Sequence, residues 1–175
     1  MGGNSFYQGV MRNDIMIEPA PVPTVEVAAL VGALDEALAA LYPAEQRHGL
    51  DLAGIFQEHV RFFVVRIGGV AAGCGGVALF EDFAEVKRMY ISPRFRGQGG
   101  AESLLVRIEA ETVLAGLGLL RLETGRAQPA AVRIYERCGF TRCGAFGAYL
   151  AMAPHRVAHS LFYEKHLSPE TFSAS

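Results

Sequence analysis

The chain has no tryptophan, only three cysteines, and no marked excess of charge of either sign. Its 16 Lys and Arg against 18 Asp and Glu leave a formal charge of −2, without the basic excess expected of a nucleic-acid binder. Cys74, Cys138 and Cys143 form no CxxC pair and no metal-ligand spacing with histidine. An odd number of thiols in a chain this size reads as buried, reduced cysteines, and so as a cytoplasmic protein. His48, His59, His155, His159 and His166 are scattered without zinc-site spacing, so surface or capping roles are expected of them and no metal is. No apolar run approaches membrane-spanning length, and the opening residues lack the charged and apolar segments of a signal peptide. Nucleic acid, membrane and metal are therefore not expected as partners.

What is present is a globular composition. Of 175 residues, 51% are hydrophobic and 19% charged, enough burial to offset the entropy of ordering one domain. Residues 1–13 read as a mobile leader, 14–168 as a single domain and 169–175 as a tail. Asp14 to Ala20 reads as a first strand stopped near Pro19. Val25 to Tyr42 has apolar residues at Val27, Leu30, Val31, Leu34, Leu38 and Leu41, the spacing of an amphipathic helix. A short helix is expected over Asp51 to His59. "RFFVVRI", "GVALF" and Ala84 to Ile91 then read as three strands of an antiparallel meander. Ala101 to Ala115 and Pro129 to Cys138 read as helices flanking the strand "LLRLETG", with Pro129 and Gly139 placed to start and stop the second. "FTRCGAF" and "HSLFYEKHL" complete the sheet. The order β, α, α, β, β, β, α, β, α, β, β predicts an α/β mixed sheet with helices on its faces.

The most informative stretch is "MYISPRFRGQGGAES", Met89 to Ser103. A strand ends, Arg96 arrives, glycines follow at Gly97, Gly99 and Gly100, and a helix starts near Ala101. Small residues let backbone approach a ligand, free N–H groups at a helix start favour an anion, and Arg96 adds a planar cation. The combination suits a pyrophosphate; the competing reading is a glycine-rich turn into an ordinary helix. A Walker loop is excluded because Ala101-Glu102 follow the last glycine, and no Gly-x-Gly-x-x-Gly spacing occurs.

Arg96, Gly99 and Ala101 fill the pattern Gln/Arg-x-x-Gly-x-Gly/Ala, and here the sequence resembles the GNAT superfamily of acyl-CoA N-acyltransferases. "EVKRMYISPRF" resembles that family's fourth strand, and "ETGRAQPAAVRIYERCGF" the second half of its acyl-CoA site; the likeness spans about Phe62 to Phe140. Gln128 stands where many members have Asn, and Gly100 where an aliphatic residue is usual. The resemblance implies a GNAT-like fold, with a mostly antiparallel twisted sheet of about seven strands splayed between the fourth and fifth. It implies acetyl-CoA as co-substrate, contacted by Met89, Tyr90, Ile91, Arg96, Gly97, Gln98, Gly99, Gly100, Ala101, Glu102 and Ser103. Gln128, Ala131 and Tyr135, at spacings of three and four, would complete that contact from one side of a helix.

Direct acetyl transfer from a thioester to an amine needs a base, polarisation of the thioester oxygen and stabilisation of the leaving thiolate. The family's pattern assigns the acid to Tyr135, the polarising donor to the Met89 N–H, and a strand-like pairing to Ile91. Glu85, six residues before Ile91, stands where several histone-modifying members place their glutamate, and Glu85, Lys87 and Met89 are expected to share a strand face. Glu85 reads equally as base, as ion-pair partner of Lys87 or Arg88, or as an ammonium anchor; Glu123 is the second candidate base. Tyr42, Arg142 and Tyr149 are candidates for bordering the acceptor. The expected acceptor is the amine of a small or amino-acid-like molecule. A protein N-terminus or lysine and a non-catalytic CoA sensor are the alternatives, and an open sheet edge would allow a homodimer.

Overall fold

The structure, a computed structural model, describes residues 14–168; the expected leader and tail lie outside the described residues. Seven strands form one sheet: β1 (Ile15–Pro19), β2 (Val60–Ile67), β3 (Val70–Leu79), β4 (Ala84–Ile91), β5 (Leu119–Gly125), β6 (Thr141–Cys143) and β7 (Ser160–His166), in the order β1-β2-β3-β4-β5-β7-β6. All neighbours are antiparallel except β4 and β5. Four helices join them: α1 (Val25–Ala39), α2 (Leu52–Ile55), α3 (Gly100–Leu114) and α4 (Pro129–Arg137). The expected element order and mixed α/β class hold.

The sheet is covered on both sides, which explains why β2 reads as an unbroken apolar run rather than an alternating one. Phe63 and Val65 pack with Leu104, Leu105 and Ile108 of α3 and with Tyr135 of α4. Phe62 and Val64 point the other way, onto Val27, Leu30 and Val31 of α1 and Ile55 of α2. Leu104, Leu105 and Ile108 are wholly buried, each contributing about 1.5–3 kcal/mol. The Thr24 side chain caps α1 by accepting from the Val27 N–H at 3.2 Å.

Some boundaries differ from the sequence reading. The helix expected over Asp51 to His59 is a single turn, anchored by Ile55 and weakened by Gly54, because the chain must reach β2 by Val60. The α1 helix stops at Ala39, short of Tyr42, which turns inward and is buried. Only Thr141–Cys143 of "FTRCGAF" is strand; Phe146 leaves the sheet to pack against Tyr149 and Phe162. Of the three cysteines only Cys74 is buried, Cys138 and Cys143 being half-buried, so the expectation of three buried thiols fails for two.

Candidate functional site

Strand β4 meets β5 only at Ala84↔Leu120 and Glu85↔Arg121, and beyond these pairs the two strands diverge. A sheet that splays leaves backbone and side chains unfilled at the opening. Two cavities lie there, about 480 Å³ and about 100 Å³, and both are lined by Leu34, Leu38, Met89, Gln128 and Tyr135. The larger runs toward the start of α3; the smaller lies toward the loop 42–49 and the end of β5.

The large groove is built from backbone. Gly97 and Gly99 have φ of 75° and 90°, a left-handed conformation that glycine adopts without strain. Gly99 caps α3, and its carbonyl accepts the first intrahelical bond, from the Ser103 N–H at 3.0 Å. Helix geometry leaves the N–H groups of Gly100, Ala101 and Glu102 without intrahelical acceptors, at the positive end of a 15-residue dipole. A Cβ on Gly100 would lie 3.2 Å from Val65 and 3.3 Å from Ile67, so glycine there lets the helix start sit close on the sheet. Arg96 donates through Nε to the Ile91 carbonyl at 3.1 Å, which ties the loop to the end of β4. These features fit a diphosphate, and the groove walls continue along Ile91, Phe95, Ala131 and Ile134.

Of the residues expected to contact the co-substrate, Met89, Tyr90, Ile91, Arg96, Gly97, Gly99, Gly100, Ala101, Glu102, Gln128, Ala131 and Tyr135 line this groove. Gln98 and Ser103 do not: the Gln98 amide donates to the Arg94 carbonyl and the Ser103 N–H is spent within the helix. Glu102 lines the groove but ion-pairs with Arg137 at 2.7 Å. Arg133, unremarked in the sequence, also lines the groove and makes no ion pair among the described residues.

Gln128, Ala131 and Tyr135 do fall on one side of α4, because Pro129 starts the helix and sets its phase. The Tyr135 side chain is buried, and its hydroxyl lies 3.8 Å from the Met89 sulfur. Burial, and secondarily the Glu123 carboxylate, push the phenol above its usual range. Tyr135 is therefore held protonated, as a proton donor must be.

The expectation that Glu85, Lys87 and Met89 share a face is overturned. Cys74 pairs with Tyr90 while Gly76 pairs with Lys87, so two residues, Arg88 and Met89, sit opposite Gly75. Arg88 takes up the extra residue with a φ of 57°. Beyond this bulge the alternation shifts: Met89 and Ile91 pack on the α3 side with Val86, while Glu85, Lys87 and Arg88 face the other way. Simple alternation cannot anticipate a bulge.

Glu85 is buried, and its Oε1 accepts from the Lys87 ammonium and from the Tyr149 hydroxyl, each at 2.7 Å. Of the readings open for Glu85, the geometry displays the ion pair, and with Lys87; Arg88 instead pairs with Asp35 at 2.7 Å. Tyr149 is thus in the small cavity, its phenol pushed up chiefly by burial and next by Glu85. Glu123 lines the same cavity and accepts from the Ser160 hydroxyl at 2.6 Å. Burial raises its carboxyl above the usual range, against the lowering effect of that hydrogen bond. Tyr42 lines the cavity and accepts from the Ala127 N–H at 2.8 Å, joining α1's exit to the loop before α4.

Arg142 does not belong to the site. It is exposed on the edge strand β6, its guanidinium stacked over the Tyr163 ring at 5.2 Å. The sequence reading missed Gln46 and Arg47, named Arg88 only as a possible ion-pair partner of Glu85, and gave His48 and His159 bland roles; all five line the small cavity. No motif marks them, since they converge from segments far apart in the chain.

Comparison with known proteins agrees with this fold. Residues 31–140 match the family described as Acetyltransferase (GNAT) family. An IAA acetyltransferase of Azospirillum brasilense is 42% identical over 143 residues, covering 81% of this chain and 90% of that protein. A solved Klebsiella pneumoniae structure assigned to the acyl-CoA N-acyltransferases is 35% identical, with a TM-score of 0.73, covering 88% of this chain and 98% of that one. A GNAT family acetyltransferase of Elizabethkingia anophelis with acetyl-CoA bound shares the fold at 16% identity, with a TM-score of 0.61 and coverage of 87% and 98%. Among the described residues no helix is long and apolar enough to cross a membrane, and no cluster of His, Cys, Asp and Glu could hold a metal ion. This chain belongs to the GNAT acetyltransferase family and is an acyl-CoA-dependent N-acyltransferase.

Proposed function

We propose that the protein moves an acetyl group from acetyl-CoA to the primary amine of a small metabolite by direct attack. Glu123 acts as the base and Tyr135 as the acid. The observation that carries this reading is the meeting of a phosphate-fitting groove and a small polar cavity at Met89 and Tyr135. Acetyl-CoA supplies the acetyl group as a thioester whose sulfur would lie by Tyr135, with the diphosphate on the amides of Gly100, Ala101 and Glu102.

The amine nitrogen forms a bond to the thioester carbon while the carbon–sulfur bond breaks. Glu123 takes the proton that the amine loses, and the Tyr135 hydroxyl gives its proton to the sulfur, so charge is conserved at every step. The Met89 N–H is the donor assigned to the carbonyl oxygen, where negative charge develops. Glu123 is preferred over Glu85 as base because Lys87 neutralises Glu85, while burial raises the basicity of Glu123. Tyr42 and Tyr149 shape the acceptor side. A cavity of about 100 Å³ favours a small amine over a protein segment.

The test is release of free CoA thiol when protein, acetyl-CoA and a panel of amines are mixed, with Tyr135→Phe as the control. Saturable acetyl-CoA binding without CoA release from any amine, peptide N-termini included, would instead mark a CoA sensor. Release with peptides alone would mark a protein acetyltransferase.

A further inference from the structure

We propose that the acceptor carries a carboxylate beside its amine, and that Arg47 and Arg88 recognise that carboxylate while Gln46 receives an N–H of the amine. The inference rests on the acyltransferase reading and names the chemical class of its acceptor. Among the described residues, three buried side-chain atoms lack a hydrogen-bond partner: Gln46 Oε1, Arg47 Nε and Arg88 Nε. All three belong to residues lining the small cavity. Buried polar atoms almost always find partners, so three orphans around one cavity point to a ligand that supplies them.

Their chemistry says which ligand. Two are donors on guanidinium groups, whose planar N–H array matches a carboxylate. The Arg47 side chain makes no ion pair or hydrogen bond among the described residues. Arg88, 8% exposed, uses one terminal nitrogen on Asp35 and on the Val31 carbonyl and leaves Nε unmet. Gly49 keeps space for it, because a Cβ there would collide with the Arg88 guanidinium.

The third orphan is an acceptor. Gln46 Nε2 donates to the His155 carbonyl at 3.2 Å, which fixes the amide's orientation and leaves its oxygen to receive an N–H. The loop bearing these groups is held in place from one side: His48 bonds the Arg156 carbonyl at 2.9 Å, and Arg156 Nε donates to the Glu45 carbonyl at 3.3 Å. Lys87 is already neutralised by Glu85, and Arg88 is paired with Asp35, whereas no carboxylate lies within ion-pair distance of the Arg47 guanidinium among the described residues. Arg47 therefore brings a positive charge without an ion-pair partner to the cavity.

The experiment compares matched pairs: glycine with glycinamide, L-methionine with L-methioninamide, and L-phenylalanine with L-phenylalaninamide, followed by CoA release. The amides have the less basic amine, so intrinsic reactivity at neutral pH favours them. The expected result is that kcat/KM for at least one free acid exceeds that for its amide by about 10- to 100-fold, the value of a charge-assisted hydrogen bond. In Arg47→Met that ratio falls to about one, with Arg47→Lys intermediate. Equal rates within every pair, faster amides, or no turnover of any free acid overturns the proposal. So does a ratio unchanged in a folded Arg47→Met. Should the wild-type protein neither bind acetyl-CoA by calorimetry nor release CoA with any amine, the acyltransferase reading itself falls and takes this inference with it. CoA release that ignores the carboxylate removes the inference alone.

Discussion

The Tyr135 hydroxyl faces the Met89 sulfur at 3.8 Å, across the opening where β4 and β5 part. One residue comes from a helix and the other from the strand just past a bulge. Their proximity joins the phosphate-fitting groove to the small polar cavity, and the proposed chemistry is assigned to that junction.

Removing the hydroxyl alone tests the acid. Tyr135→Phe is expected to lower kcat by about 10²- to 10⁴-fold, the usual worth of a positioned proton donor. The ring is retained, so the acetyl-CoA Kd from calorimetry stays within about twofold and the melting temperature is little changed. An unaltered kcat would remove Tyr135 from the mechanism.

Glu123 should set the acidic limb of the pH–rate profile. Its carboxyl is raised by burial, so as the pH falls through that raised value it gains a proton and can no longer accept one. Activity is therefore lost from a pH above the ordinary carboxylate range. In Glu123→Gln the rate at neutral pH is expected to drop at least tenfold and to keep rising toward the pKa of the free amine. A variant that retains the wild-type limb would transfer the role to Glu85.

Glu85 is buried and its pair with the half-buried Lys87 is close, at 2.7 Å. Lys87→Met strands a carboxylate in the interior and should cost about 3–5 kcal/mol of stability. Adding Glu85→Gln should recover most of that loss, because the uncompensated charge disappears. Urea denaturation of the two single variants and the double variant measures the coupling; additive losses would mean that the pair does not interact.

Cys74 is expected to be silent to thiol reagents in the folded protein. Burial pushes its thiol up to about 12, and the thiolate is the reactive form. Titration with a disulfide reagent should report Cys138 and Cys143 slowly and Cys74 only after unfolding. A third thiol reacting at the same rate under native conditions would show that β3 opens.

How far the sequence revealed the site depended on how each part is encoded. The α3 loop was legible because phosphate recognition uses consecutive amides, and Arg96, Gly97, Gly99 and Gly100 write that backbone directly into the sequence. Tyr135 was singled out by the family resemblance, and helix spacing placed it on one side with Gln128 and Ala131. The face of Met89 was misread because the bulge at Arg88 depends on pairing with Gly75, a partner in another strand. Arg142 was misplaced because its neighbourhood leaves the sheet after Cys143. Arg47 could not be found, since its significance lies in a missing partner.

Chain order, periodicity and the glycine-rich loop by themselves determined the mixed sheet and the phosphate-fitting groove, because local backbone conformation follows from contiguous residues. Tertiary structure alone decided the small polar cavity. Gln46, Arg47, Glu85, Arg88, Glu123 and Tyr149 meet there from separate segments. Which of their charges are neutralised and which remain unmet is a property of their spacing in three dimensions, through burial and Coulomb interactions that no linear pattern carries.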